Sequence, residues 1–505
     1  MMTLDTALTS ATSGLAAINR QLAVVSQNVS NASTPGYAQE VVSLSSLTAA
    51  GDGMGVRVGP TTLQISQQLQ SSVLAQNAVV GNLQTTQTAL SAIDAVQGTP
   101  GAGTDLASLL GDVTNAFSTL STDPSNTTYQ SQVVSSAQTL AQGINTLAQA
   151  YGTQRQASQD DLVSDVASLN QALQQIGQLN TQIQQLQANG VDTADLQNQR
   201  NAAMATASQY LAINFVPQSD GTVLAVSNGA VIPLTGSTGP FSVASAQLGP
   251  NAAYPASAPA VMLNGQDVTT QIGGGSIGAD ITLRDQTLPT FHAELDEFSE
   301  TLASRFQAQG LTLFSNASGT VPTASAPPVQ QNYVGFANTI QVNPVVAQTP
   351  SLARDGTQSV SIGGVTYNPN PAGGPAGFSD LINRILTYAT GSQVASGIAQ
   401  PAPATSGLGP TGTLTAPFTA PTTLSAFAST LVAAQSQQSS STQTQLSTEQ
   451  AVQTTLQTKL ADSSSVSIDT EMSTMIQLQN AYGANAKIIT TAQSMFTTLL
   501  QAVTP

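Results

Sequence analysis

The chain has no cysteine and no tryptophan among its 505 residues, and only 7% of them are charged. Without cysteine, neither a disulfide framework nor a thiolate metal site can form. Ten Lys and Arg stand against 26 Asp and Glu, for a net charge of -16 and a pI near 4.1. Nucleic-acid binders need basic patches that displace counterions from phosphates, and Lys459, Lys487 and scattered arginines do not supply them. The same deficit argues against a polybasic segment docking on an anionic membrane. No apolar run approaches the roughly 18 residues of a membrane span, so no membrane insertion is expected. The first 19 residues hold no Lys or Arg and no small-residue cleavage site, so a cleaved secretory signal is not expected either. Histidine occurs once, as His292, too few for a multi-histidine metal centre.

What is present is 40% apolar residues in a background of Ser, Thr, Gln, Asn and Gly. The length exceeds one core, and about three or four domains are expected. The apolar residues are most regular at the two ends. Leu8, Leu15, Ile18, Leu22, Val25 and Val29 recur at steps of seven, three and four, the spacing of a seam on a helix that wraps a partner. From Ile468 a second seam runs through Met472, Met475, Tyr482, Ala486, Ile489, Phe496, Leu500 and Val503, interrupted by Gln479 and Gln493. A neighbouring stripe, Leu478, Ala481, Ile488, Ala492, Met495 and Leu499, gives this helix two apolar faces. One face can meet the N-terminal helix and the other needs a further partner; an ordinary intramolecular helix pair is the alternative. Thr34-Pro35-Gly36 should force a turn and stop the first helix by about Asn31.

Between the ends, helical spacing alternates with Gly/Pro-rich alternating stretches. Residues 37–63 suggest short strands or extended linker. Helices are expected over 62–97 and 105–121, then a long one opened by Asp123-Pro124. It carries a stripe from Val133 to Tyr151 and a heptad from Leu162 to Leu186, ends at Asn189-Gly190, and is followed by a shorter helix around Met204. Thr222 to Val226 and Asp280 to Leu283 suggest strands; Phe291, Leu295, Phe298, Leu302 and Phe306 mark another helix. In 311–423, strands are expected at Ile340 to Val342 and Val360 to Thr366, a helix at about 378–390 and a flexible loop at 397–421. The predicted fold class is α+β multidomain: a long helical bundle or coiled coil formed by N- and C-terminal segments, with inserted β-rich domains. The expected units are 1–60, an N-terminal heptad helix and extended linker, and 61–213, a helical rod completed by 288–310 and 424–464. Residues 214–287 form a β-rich insertion and 311–423 a second β-rich or loop insertion. Residues 465–505 form a C-terminal heptad helix that pairs with 1–31.

Signs of chemistry are sparse. His292 has no partners at catalytic or metal-ligand spacing and is expected on a helix surface or interface. Asp160, Asp161 and Asp165, and Glu294, Asp296, Glu297 and Glu300, fall at helical spacing and suggest solvated faces rather than an acid/base pair. Gly273-Gly274-Gly275 with Gly278 lacks the Lys and Ser/Thr of a phosphate loop, and a turn between strands is expected. No catalytic, metal or cofactor-binding residue is predicted.

The termini resemble those of the axial proteins of the bacterial flagellum. Asn28, Asn31, Thr34, Pro35, Gly36 and Tyr37 look like the N-terminal signature of rod, hook and junction proteins. Within that group the chain is similar to the hook-filament junction family. The similarity rests on Asp195 to Arg200, on Gly274 to Gly278 with Leu283-Arg284-Asp285 and Leu288-Pro289, on Val342-Asn343-Pro344, and on Val466 to Glu471 with Leu478 to Tyr482 and Ala486-Lys487. It covers roughly 1–310 and 424–505. Two departures from the family pattern are Met472-Ser473-Thr474 and Asn198, which stands where an acid is common. The resemblance implies a structural, non-enzymatic subunit of an extracellular flagellum, exported by the type III route without signal cleavage. It also implies a ring of copies of itself, contacts with hook protein and a second junction protein, and an export chaperone on the C-terminal helix. Another axial protein, or a secreted adhesin or hydrolase using 311–423, are the competing readings.

Overall fold

The computed structural model describes residues 4–49, 52–99, 101–234, 239–325 and 327–503. The outermost residues of both predicted terminal segments, 1–3 and 504–505, lie outside the described residues.

The chain opens with helix α1 (Leu4–Asn31). The turn falls at Thr34-Pro35-Gly36, where Gly36 takes φ +78°, a conformation that favours glycine. Residues expected as short strands or linker form one antiparallel hairpin, β1 (Glu40–Ala49) and β2 (Asp52–Leu63), with register shifts near Val42 and Leu47. The hairpin lies along α1: Val56 N–H donates to Ser13 Oγ, and Arg20 Nη2 donates to Thr61 Oγ1. A Cβ at Gly55 would sit 2.2 Å from Ser13 Oγ, and its φ of +123° favours glycine.

The rod is built from α2 (Gln67–Gln97), α3 (Leu106–Thr122), α4 (Thr127–Ala188) and α5 (Ala194–Tyr210). Helix α4 has 62 residues, about 90 Å at 1.5 Å per residue. Its N-cap is Asn126, whose side chain accepts from the Thr128 and Tyr129 N–H groups. Asp123 instead accepts from Ser125 N–H, so the predicted Asp123-Pro124 start is a turn one step before the helix. The α4 stripe from Val133 to Tyr151 and the stripe from Leu162 to Ile183 serve separate cores. The first packs with Phe117, Phe298, Phe306 and Phe427, and most of the second with Met204, Ile277 and a small sheet.

That sheet is β3 (Asn214–Pro217), β4 (Val223–Ser227) and β5 (Ala230–Ile232), paired in sequence order. Phe215, Val223, Ala225 and Ile232 face Leu169, Leu173 and Ile176 of α4. A second sheet follows, β6 (Phe241–Ser242), β7 (Met262–Leu263) and β8 (Gln266–Asp267). The strand expected at Asp280 to Leu283 is instead helical: α6 (Gly275–Thr282) runs through a π turn, Leu283–Thr287, into α7 (Leu288–Ala308). The glycine run is therefore a helix start, not a turn between strands. Gly275 has φ +66°, and a Cβ there would lie 2.2 Å from the Tyr210 carbonyl oxygen, so the glycines let α6 press against the end of α5. Four residues are too few for periodicity to separate strand from helix.

Helix α7 is central. Phe291, Leu295, Phe298, Leu302 and Phe306 are buried, with Phe298 edge-on to Phe427 at 5.4 Å between ring centroids. The second insertion carries β9 (Phe314–Ser315) paired with β10 (Gln341–Val342), then α8 (Pro344–Gln348) and α9 (Leu352–Asp355). Beyond these come the hairpin β11 (Val360–Ile362) and β12 (Val365–Tyr367) and helix α10 (Asp380–Arg384). The stretch expected as a flexible loop contains β14 (Ile398–Ala399), which pairs with β13 (Gln393–Ala395), and the pair β15 (Ser406–Leu408) and β16 (Leu414–Thr415). Leu408 and Ala416 are buried against Ala293, which pins this stretch to α7. Helices α11 (Leu424–Ser464) and α12 (Ile468–Val503) close the chain.

Candidate assembly interface

Helices α1 and α12 pair antiparallel: Asn28 meets Glu471 at one end, and Gly14 lies against Asn485 further along. The core of the pair is small. Ile18, Val25 and Leu478 are buried, and Leu22, Met475 and Ala481 pack around them. Leu15, Leu22 and Val29 are half-buried, and Leu8 is exposed. On α12, Met475 and Ile489 are half-buried, while Met472, Tyr482, Phe496 and Leu500 are exposed. The face that α1 covers thus takes Met475 from one predicted stripe and Leu478, Ala481 and Ala492 from the other. The register places the first described residues of α1 opposite about Met495. Beyond that point Phe496 and Leu499 stand 57% and 63% exposed, and Ile476, Ile488 and Met495 are also exposed on the flanks. Ile476 lay between the predicted stripes and was in neither.

The base of the pair is polar and closely connected. Buried Asn28 donates through Nδ2 to the Glu40 carbonyl (2.9 Å) and to Glu471 Oε1 (3.1 Å). Its Oδ1 accepts from Glu40 N–H (2.9 Å) and from the Tyr37 hydroxyl (3.1 Å). One amide therefore joins α1, the start of β1 and the start of α12. Gln39 adds Nε2 to Glu471 Oε1 (2.6 Å), and its N–H donates to the Ser464 carbonyl (2.7 Å) at the α11–α12 break. Asn198 of α5 pairs with both backbone groups of Ala38, accepting its N–H (3.0 Å) and donating to its carbonyl (3.1 Å). Gln27 Nε2 donates to Asp195 Oδ1 (2.8 Å), and Arg20 forms an ion pair with Asp192. Of the remaining signature residues, Asn31 Nδ2 donates to the Gln27 carbonyl (3.1 Å), and Thr34 N–H donates to the Asn31 carbonyl (2.9 Å). Thr34, Pro35 and Gly36 form an exposed turn whose role is to bring Tyr37 back to Asn28.

His292 and most of the acids on α7 lie inside the fold. His292 is buried on α7, with Nε2 2.8 Å from Asn338 Nδ2 of the second insertion; burial and the nearby Arg155 charge lower its pKa to about 4. The α7 acids are also buried, not solvated. Asp296 accepts from the Gly335 and Ala337 N–H groups (2.7 and 2.8 Å). Glu297 accepts from the Tyr333 hydroxyl (2.7 Å) and Ala404 N–H (2.7 Å), and Glu294 from Gln435 Nε2 (3.3 Å). Asp296 and Glu297 are held inside because the loops of the second insertion bring donors to them, Glu294 is met from α11, and Glu300 is half-buried. Burial raises Glu294, Asp296 and Glu300 to about 7. Asp160 and Asp161 are exposed as expected, and Asp165 is half-buried and accepts from Ser276 Oγ. Among the described residues, no group of three or more His, Asp or Glu could hold a metal ion, and no helix is long and apolar enough to cross a membrane.

Two of the segments that carry the junction-family resemblance, Asp195 to Arg200 and Leu283 to Asp285, are staples for the first insertion. Arg200 Nη1 donates to Asn180 Oδ1 (3.0 Å) and the Gly221 carbonyl (2.7 Å). Arg284, fully buried, holds Asp285 with two hydrogen bonds (2.8 and 2.6 Å) and donates to Gln159 Oε1 (2.8 Å) and the Pro259 carbonyl (2.9 Å). Arg155, not singled out from the sequence, donates to the Arg284 carbonyl (2.8 Å) and the Ala252 carbonyl (2.6 Å). Its position in the α4 stripe region is the one signal that could have found it.

The chain thus combines a long helical rod, side domains stapled to it, and an apolar terminal pair with a partly open face. Three families of known proteins match parts of it. Residues 90–320 match the flagellar hook-associated protein FlgK helical domain. Residues 461–502 match the flagellar basal body rod FlgEFG protein C-terminal family, and residues 8–37 the flagella basal body rod protein family. These segments are similar to flagellar axial proteins, and 90–320 in particular to the helical domain of FlgK. No curated protein matches it. Among solved structures, the flagellar hook junction protein FlgK from Burkholderia pseudomallei is similar at 24% identity and a TM-score of 0.40, over 51% of this chain. The match spans about half, 47%, of that protein's chain.

Proposed function

We propose that the chain is a structural, non-catalytic subunit at the junction between flagellar hook and filament, assembling through the α1/α12 pair. The observation that carries this reading is the apolar surface that α1 leaves open on α12, around Ile488, Met495, Phe496 and Leu499. At roughly 25 cal/mol per Å² of apolar area, that surface gains burial only against neighbouring molecules. The proposed interface comprises Leu8, Leu15, Ile18, Leu22, Val25 and Val29 with Met472, Met475, Tyr482, Ile489, Phe496 and Leu500. The proposed partners are further copies in a ring, hook protein and a second junction protein. A chaperone covering α12 would keep the same surface masked during type III export to the extracellular flagellum. In this reading 1–60 and 465–505 form the assembly unit, 61–213 with 288–310 and 424–464 the rod, and 214–287 and 311–423 outer domains.

Deleting Ile468 to Pro505 tests it. The expected result is hooks without filament, filament subunits lost to the medium and no swimming, and normal swimming overturns the proposal. His292→Ala, by contrast, is expected to leave swimming intact.

A further inference from the structure

The joint between the terminal pair and the rod contains one acid whose environment suits a proton better than a charge. Glu40 is 5% exposed, and its Oε1 accepts from Asn198 Nδ2 at 3.4 Å, a long contact. Charged or titratable groups face it from α1, α5, α12 and the turn before β1. From α1 comes Arg20, but its guanidinium is turned to Asp192 and to Thr61 Oγ1. From α5 comes Asp195, which lines the same cavity as Glu40, and from α12 comes Glu471, whose Oε1 already accepts from Gln39 and Asn28. Tyr37 faces the same space from the turn. Acids therefore outnumber the single engaged cation.

We propose that a proton on Glu40, shared with the carboxylate of Asp195, closes the joint between the α1/α12 pair and the rod, and that its loss to solvent loosens it. Burial first, then the charge and hydrogen bond of Asp195, raise Glu40 to about 7, against the lowering influence of Asn198 and Arg20. A carboxyl raised in the folded state favours that state most below its ordinary range, and the advantage is lost as pH rises through about 7. The place is mechanically apt. Glu40 N–H and C=O are both held by Asn28, so strain at Glu40 reaches α1 and α12 together, while Asn198 ties the neighbouring Ala38 to α5. The inference concerns the subunit alone and does not depend on what the terminal pair assembles with.

Hydrogen exchange of the full-length monomer tests it, read as protection factors for 36–44 and 464–471 against the α4 core at 162–176. Between about pH 5.5 and pH 8.5, this linkage gives up to about thirtyfold more opening at the joint, with the reference unchanged. Glu40→Gln, which can donate to Asp195 at any pH, is expected to abolish the dependence. Asp195→Asn, which still accepts from Gln27, is expected to flatten it. The same pH response in the parent and in Glu40→Gln, or no response at the joint in the parent, overturns the proposal.

Discussion

At the scale of single residues, the joint depends on amides because only an amide both donates and accepts. Asn198 uses both capacities on the Ala38 backbone beside Glu40. An aspartate there would leave the Ala38 carbonyl without its donor and add a charge near two acids. Asn198→Asp is therefore expected to cost about 1–3 kcal/mol in urea unfolding, with lost protection at 36–44. Arg284 is the opposite case, a buried charge held by one carboxylate and two neutral acceptors. Arg284→Ala is expected to cost about 3–5 kcal/mol because Asp285 keeps its charge without its partner. Lys at that position is expected to recover little, since it cannot make the planar two-point contact. The signature from Asn28 to Tyr37 was readable as a pattern, but its meaning was not. Which of six residues carries the joint depends on Glu471 and Glu40 arriving from elsewhere in the chain.

At the scale of elements, α11 and α12 solve opposite problems. Helix α11 is polar along its outer half and lies on α2 through side-chain amides: Gln76 Nε2 donates to Glu449 Oε2 (2.6 Å), and Gln453 Nε2 to Asn77 Oδ1 (2.9 Å). Such contacts fix register more than they stabilise, since each net hydrogen bond contributes only about 1 kcal/mol. Helix α12 has surplus apolar surface instead. Replacing Phe496 and Leu499 by serine together is expected to change monomer stability by less than about 0.5 kcal/mol, because both are exposed. The same replacement is expected to abolish assembly, as read by sedimentation or by filament growth on hooks. Because the hydrophobic cluster between α1 and α12 is confined to Ile18, Val25 and Leu478, fast exchange of the pair beyond it, over 4–14 and 485–503, is also expected in monomer and protection in polymer. Periodicity exposed both helices in the sequence. It could not say which stripe faces α1, because two stripes of similar apolarity were available.

At the scale of the whole molecule, the interior is rich in carboxyls. Glu294, Asp296 and Glu300 are raised to about 7 and Asp280 to about 8, in each case chiefly by burial. Each binds its proton more tightly folded than unfolded, so each favours the fold below the ordinary carboxyl range and loses that effect as pH rises through its folded value. His292, lowered to about 4, acts in the other direction, losing its contribution as pH falls from about 6.5 toward 4. With Glu40, also raised to about 7, five acids outweigh one histidine. The urea midpoint is expected to fall from about pH 5 to about pH 8, and a midpoint rising over that range would contradict these burial effects.

The sequence by itself determined the order of helices and insertions, the terminal seams and the scarcity of catalytic groups, because periodicity and composition are local properties. Only the tertiary structure decided that the α7 acids and His292 lie inside and that the glycine run opens a helix. It also decided that Asn28, Glu40, Asn198 and Glu471 meet at one joint. Burial of a polar residue depends on whether a distant loop delivers a hydrogen-bond partner, and no spacing along the chain records that delivery.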